Sequence, residues 1–117
     1  MRTSQRLVVV VVALATTTLF ALPLSADSKQ NVSVRRHVIE IQKLKFVPAD
    51  IQVSPGDTIV WVNKDFVPHT TTAKDKSWGS KTIKKDGQWQ IVVQTGMPED
   101  YFCKFHPSMK GRLRIVD

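Results

Sequence analysis

QWQIVVQ, residues 88–94, alternates polar and apolar side chains for most of its length. That period of two places Trp89, Ile91 and Val93 on one face, the pattern of a half-buried strand. The same rhythm recurs on both sides of it. Val38–Gln42 alternates with Ile39 and Ile41 together, after which Leu44 and Phe46 change parity and predict a bend or bulge. Ile51-Gln52-Val53 runs into Ser54-Pro55-Gly56-Asp57, a turn with proline in its interior. Thr58–Val62 is apolar on both faces, as a central strand is. Tyr101 and Cys103 share a face, and Leu113–Val116 closes the chain after Gly111. The stretch from Thr72 to Asp86, with Lys74, Lys76, Lys81, Lys84 and Lys85, reads as a long connection with room for one lysine-guarded edge strand. No helical periodicity of useful length occurs. Short strands about ten residues apart, with turns between them, predict an all-β sandwich or barrel.

The ends and the charge narrow the setting. The 117 residues carry 17 Lys+Arg against 10 Asp+Glu, a net charge of +7. Met1–Arg6 holds two arginines, Leu7–Leu22 is almost wholly apolar, and Pro23-Leu24-Ser25-Ala26 follows. This order describes a secretory signal peptide. The competing reading is a membrane anchor, for which the apolar stretch is short against the ~20 residues that span a bilayer. The expectation is a signal at 1–26, cleaved near Ala26. It leaves one domain at 27–117, periplasmic, free of the membrane and monomeric. The basic stretch contains one aromatic, Trp78, and no nucleic-acid-binding motif, so a nucleic-acid partner is not expected. His37, at a strand start, reads as structural or surface.

CKFHPSM, residues 103–109, contains the single cysteine of the chain. An intrachain disulfide is therefore impossible, and an exported thiol is exposed to oxidation unless it is buried or held by a metal. Residues i and i+3 across a turn have α-carbons less than ~7 Å apart, so Cys103 and His106 can share one small volume. Met109 lies one step further along the same loop, and Pro107 disfavours a helix that would spread the three side chains. His69, after the strand ending at Asn63, offers a second imidazole. Each residue alone has a plainer role: a lone cysteine is most often a small buried hydrophobe, and a lone methionine is usually core. A Cys–His nucleophile pair needs an orienting group and a substrate cleft, for which a domain this small leaves little room. Two imidazoles, a thiolate and a long thioether contact together make the donor set of a mononuclear copper electron-transfer site. Zinc suits them less, because its usual ligands do not include a thioether.

Phe46-x-Pro48, Val53-x-x-Gly56-Asp57-Thr58, Trp61-x-Asn63, His69, Gly96, Tyr101-x-Cys103, the ligand loop and Gly111 together resemble the cupredoxins, in their amicyanin and plastocyanin branch. The short Cys-x2-His-x2-Met loop is similar to that of amicyanins. The resemblance implies an eight-strand Greek-key sandwich with one copper centre, Cu(I)/Cu(II), held by His69, Cys103, His106 and Met109. It implies a one-electron carrier and no enzyme. A copper-binding role in delivery or resistance is the alternative. His106 is then the ligand that reaches the surface, within an apolar collar of Pro68, Phe105 and Pro107, with Val67 and Met97 at its margin. Redox proteins would dock there, a dehydrogenase as donor and a c-type cytochrome as acceptor on the amicyanin likeness. The Lys74–Lys85 cluster is either a solvated face or a steering patch for an acidic partner. Two positions depart from the family pattern. Thr70 stands where an asparagine often braces the cysteine loop, and Phe105 stands where amicyanin-like loops commonly have proline.

Overall fold

The computed structural model describes residues 6–23 and 31–117. The chain divides into two units, Met1–Gln30 and Asn31–Asp117. In the first, residues 6–23 carry no helix or strand, and their large apolar side chains are exposed. Among the described residues no helix is long and apolar enough to cross a membrane. The expected cleavage point at Ala26 lies outside the described residues.

The second unit holds eight strands: β1 (Arg36–Gln42), β2 (Lys45–Val47), β3 (Asp50–Val53), β4 (Thr58–Asn63), β5 (Thr72–Ala73), β6 (Gln88–Val92), β7 (Asp100–Phe102) and β8 (Lys110–Ile115). They form two four-stranded sheets, ordered β2-β1-β4-β6 and β3-β8-β7-β5. This is the expected Greek-key sandwich. The β1–β4 and β3–β8 pairs are parallel and the others antiparallel. Parallel partners cannot be joined by a tight turn, so the chain passes through the opposite sheet between them. β4 lies between β1 and β6, with Ile59, Val60 and Trp61 all buried. Its apolar character on both faces follows from that central position.

The parity change after Gln42 is a chain reversal rather than a bulge. Lys43 and Leu44 both take left-handed conformations, φ 52° and 58°, and Gln42 pairs with Lys45 across them. Such two-residue turns favour Asn-Gly, because a side chain in this region is strained. The turn at residues 54–57 closes through the Asp57 N–H donating to the Ser54 carbonyl at 3.0 Å, with Pro55 second and Gly56 at φ +93° third. That is the type II arrangement, which needs glycine at its third position. The Asp57 carboxylate accepts from the Arg35 and Ser54 N–H groups and pairs with His37 Nε2 at 2.8 Å, so His37 is structural, as expected.

The core brings Ile39, Ile41, Phe46, Ile59 and Trp61 of one sheet against Val53, Tyr101 and Leu113 of the other. Aromatic rings fill its middle. Tyr101 packs edge-on against Phe46 at 4.7 Å and Trp61 at 5.4 Å between ring centroids. Trp61 and Trp89 are cross-strand partners, their rings stacked at 5.5 Å. Trp78, from the long connection, lies against Trp61 and stacks on Trp89 with planes 12° apart, and its indole N–H donates to the Pro98 carbonyl at 3.0 Å. Burial pushes the Tyr101 phenol far above its ordinary range. The Trp61 N–H beside it offsets a little of that rise without reaching hydrogen-bond geometry, so both groups stay unpaired among the described residues.

β8 starts at Lys110, three residues earlier than the alternation suggested, and Gly111 lies within it directly opposite Tyr101. A Cβ there would meet the Tyr101 ring at 2.2 Å. Glycine is needed because the tyrosine ring occupies the space a side chain would take.

Candidate metal centre

Two loops at one end of the sandwich supply the site. The first leaves β4 at Asn63. The Asn63 side-chain amide donates to the carbonyls of Val67 (2.9 Å) and Ile83 (3.0 Å), and its oxygen accepts from the Asp65 N–H at 2.9 Å. One buried amide therefore folds residues 63–67 over the strand end. His69 then exchanges two backbone hydrogen bonds with Ile83, at 3.1 and 2.8 Å, which fixes its Cα. Its side chain is fully buried.

The second loop follows β7. The His106 N–H donates to the Cys103 carbonyl (3.3 Å), and the Met109 N–H to the His106 carbonyl (2.9 Å). These are two successive i to i+3 turns, the geometry expected from the spacing. The Cys103 N–H donates to the Met109 carbonyl at 3.1 Å and closes the loop on itself.

Together the loops bring Cys103 Sγ to 3.7 Å from His69 Nδ1 and 3.8 Å from His106 Nδ1. Sulfur and nitrogen ligands bound at about 2.3 and 2.0 Å, with an angle of 110–120° at the metal, stand roughly 3.5–3.7 Å apart. The donors therefore have the spacing of atoms sharing one ion. All three ligand atoms lie within 4.8 Å of one another. Cys103 and His69 are fully buried, Met109 is 4 % exposed, and His106 is partly exposed. The loop brings the Met109 backbone back to Cys103, through the hydrogen bond between them. A sulfur with two imidazole nitrogens, two of the three side chains buried, is a soft donor set that suits copper.

Thr70 takes over the brace that an asparagine commonly provides. Its hydroxyl accepts from the Lys104 N–H at 2.9 Å, and its own N–H donates to Cys103 Sγ at 3.4 Å. Both loops are thus tied to each other at the residue after each ligand. Asp65 was not foreseen. Its carboxylate accepts from His69 Nε2 at 2.9 Å. Nothing in the linear pattern marks it, because its other partners lie 21 and 22 residues away, at Leu44 and Lys43.

The exposed apolar side chains of the two loops are Phe66, Val67, Pro68, Phe105 and Pro107. Phe66 is the addition, 85 % exposed, with the Lys85 ammonium 3.8 Å above its ring centroid. Met97 instead packs against the core and takes the Gln94 N–H on its sulfur. Among the described residues the ion pairs are made by arginine and histidine, such as Arg112–Glu99 and Arg114–Asp50; no lysine closes one.

The family model described as a cupredoxin-like domain matches residues 8–115. The amicyanin of Paracoccus versutus is 28 % identical over 83 residues, covering 67 % of this chain and 63 % of that protein. The amicyanin of Paracoccus denitrificans is 26 % identical over the same shares. The chain thus spans less than two thirds of the length of these two amicyanins. The crystal structure of the Paracoccus versutus amicyanin superposes with a TM-score of 0.61 at 26 % identity, covering 69 % of this chain and 81 % of that one. A Cu(I) form of an amicyanin variant gives 0.64 at 25 % identity, covering 74 % and 87 %. The chain belongs to the cupredoxin-like family.

Proposed function

We propose that this cupredoxin is an exported, periplasmic one-electron carrier with a single copper ion held by His69, Cys103, His106 and Met109. In this reading residues 1–26 are the export signal and residues 27–117 the working domain. The observation that carries it is the buried triangle of Cys103 Sγ and two Nδ1 atoms at 3.7 and 3.8 Å. Copper supplies the one-electron couple between Cu(I) and Cu(II).

The chain does the rest. Cys103 gives up its thiol proton on loading, so uptake is coupled to proton release. The hydrogen bonds within residues 103–109, the Thr70 brace and the His69–Ile83 pair hold the ligands in one arrangement. A site that does not rearrange when its charge changes passes electrons with little reorganisation. Burial of Cys103, His69 and Met109 excludes water and favours retention over release, which weighs against delivery. His106 is the partly exposed ligand, so the electron enters and leaves through its ring at the collar of Phe66, Val67, Pro68, Phe105 and Pro107. Redox proteins dock there briefly, with an amine dehydrogenase donor and a c-type cytochrome acceptor as the amicyanin likeness suggests. The lysines without ion-pair partners favour a partner that is acidic.

The test is a spectrum and a voltammogram of purified protein after one equivalent of cupric salt. The expected result is an intense visible thiolate-to-copper band and a reversible one-electron wave, both lost in Cys103→Ser. Colourless protein that binds and releases Cu(I) would favour delivery or resistance and overturn the carrier reading.

A further inference from the structure

The Asp65 carboxylate joins two places that are far apart in sequence. Its side chain is 16 % exposed. Oδ1 accepts from the Lys43 N–H at 2.6 Å, and Oδ2 accepts both the Leu44 N–H at 3.0 Å and His69 Nε2 at 2.9 Å. The two turn residues are the left-handed pair between β1 and β2, so their consecutive N–H groups converge on one anion.

We propose that Asp65 is a positioning residue for His69, fixing which ring nitrogen faces Cys103, and that the β1–β2 turn holds the carboxylate in place for that purpose. The proposal deepens the copper reading above and rests on it for the role of His69.

The chemistry is directional. A backbone N–H can only donate, and one points at each carboxyl oxygen, from Lys43 at Oδ1 and from Leu44 at Oδ2. With both oxygens already accepting, the hydrogen between the carboxylate and the ring belongs to His69 Nε2. In that tautomer the bare nitrogen is Nδ1, the atom 3.7 Å from Cys103 Sγ. The required tautomer is present before any ion arrives. The same carboxylate places a fixed negative charge one hydrogen bond from a ligand. That makes the imidazole a stronger donor and favours the more highly charged ion, Cu(II). The turn contributes because its two N–H groups are matched to this one anion.

The test compares the parent protein with Asp65→Ala, Asp65→Asn and Leu44→Gly. Nitrogen NMR of the His69 ring in the copper-free protein reads the tautomer directly. The parent is expected to carry hydrogen on Nε2 and Asp65→Ala to populate both forms. In Asp65→Ala the affinity for cupric ion is expected to fall about 10–100-fold. In Asp65→Asn the amide oxygen can still accept from the ring but carries no charge. Its reduction potential is therefore expected to rise, a tenfold gain in preference for Cu(I) reading as about 59 mV. Leu44→Gly keeps the N–H, eases the turn and serves as a second background for the Asp65 variants. If Asp65→Ala does not fold, the same comparison is made in the Leu44→Gly background, where the turn depends less on the carboxylate. An unchanged tautomer and unchanged affinity in Asp65→Ala would overturn the proposal and leave Asp65 a cap of the turn alone. An unchanged potential in Asp65→Asn would overturn its electrostatic half. If the parent itself takes up no copper, the carrier reading fails, while the tautomer in the copper-free protein still decides the role of Asp65.

Discussion

Replacing Gly111 with alanine puts a methyl group where the Tyr101 ring already stands. The new Cβ would lie 2.2 Å from Cζ, 2.3 Å from Oη and 2.6 Å from Cε1 of that ring. Carbon atoms need about 3.5 Å, so the ring must retreat by more than an ångström. It has nowhere to go, because Phe46, Trp61 and Trp78 surround it at centroid distances of 4.7, 5.4 and 5.9 Å. Either Tyr101 leaves the core or β7 and β8 separate. Losing a buried aromatic costs about 3–5 kcal/mol, and the lower entropy of the unfolded alanine chain returns about 0.4–1 kcal/mol. The net loss is then about 2–5 kcal/mol, a large part of the 5–15 kcal/mol typical of a domain. Urea unfolding of the copper-free protein followed by tryptophan emission measures it. Tyr101→Ala removes the obstacle, so Gly111→Ala should cost less than 1 kcal/mol in that background, and the cycle should show strong coupling. A single-mutant loss below about 1 kcal/mol, or simple additivity with Tyr101→Ala, would refute the argument.

Three further outcomes are expected. Thr70→Ala leaves the Lys104 N–H without its acceptor, costing about 1–3 kcal/mol in unfolding experiments and broadening the copper spectrum; Thr70→Ser, which keeps the hydroxyl, should restore both. Burial would push the Asp57 carboxyl up, but the Arg35 N–H, the His37 ring and the Ser54 N–H bring it below its ordinary value. A depressed carboxyl contributes stability that is complete above the unfolded value, near 4, and is lost as pH falls through the folded one; Asp57→Asn should therefore flatten the acid limb of a stability–pH profile. The rate of electron exchange with an acidic redox partner should fall as salt is raised, and neutralising Lys84 and Lys85 together should reduce that slope; a rate indifferent to salt would remove the steering role.

The strands were legible because each is short, alternating and bounded by turn residues. Trp89, Ile91 and Val93 turn inward as their spacing requires, and Tyr101 and Cys103 share the core side of β7. The cysteine loop was legible for a related reason, since its contacts join residues three apart. What escaped depends on contacts between distant parts of the chain. Lys43-Leu44 is a poor sequence for a left-handed turn and is readable only once Asp65 is seen beneath it. Gly111 looked like the punctuation before a strand, whereas its purpose is set by a ring on the neighbouring strand. Thr70 offered no asparagine amide, yet a hydroxyl at the same place reaches the same backbone N–H.

The stacking of Trp78 on Trp89 gives the lysine-bearing connection an anchor that its composition conceals. An indole packed on Trp61 and Trp89 and bonded to the Pro98 carbonyl ties the connection to the sandwich at residue 78. The lysines are consequently borne on a backbone with a fixed base at Trp78, from which their flexible side chains reach outward. Two parallel indoles this close also couple their electronic transitions, so near-ultraviolet circular dichroism offers an optical gauge of whether that base is seated.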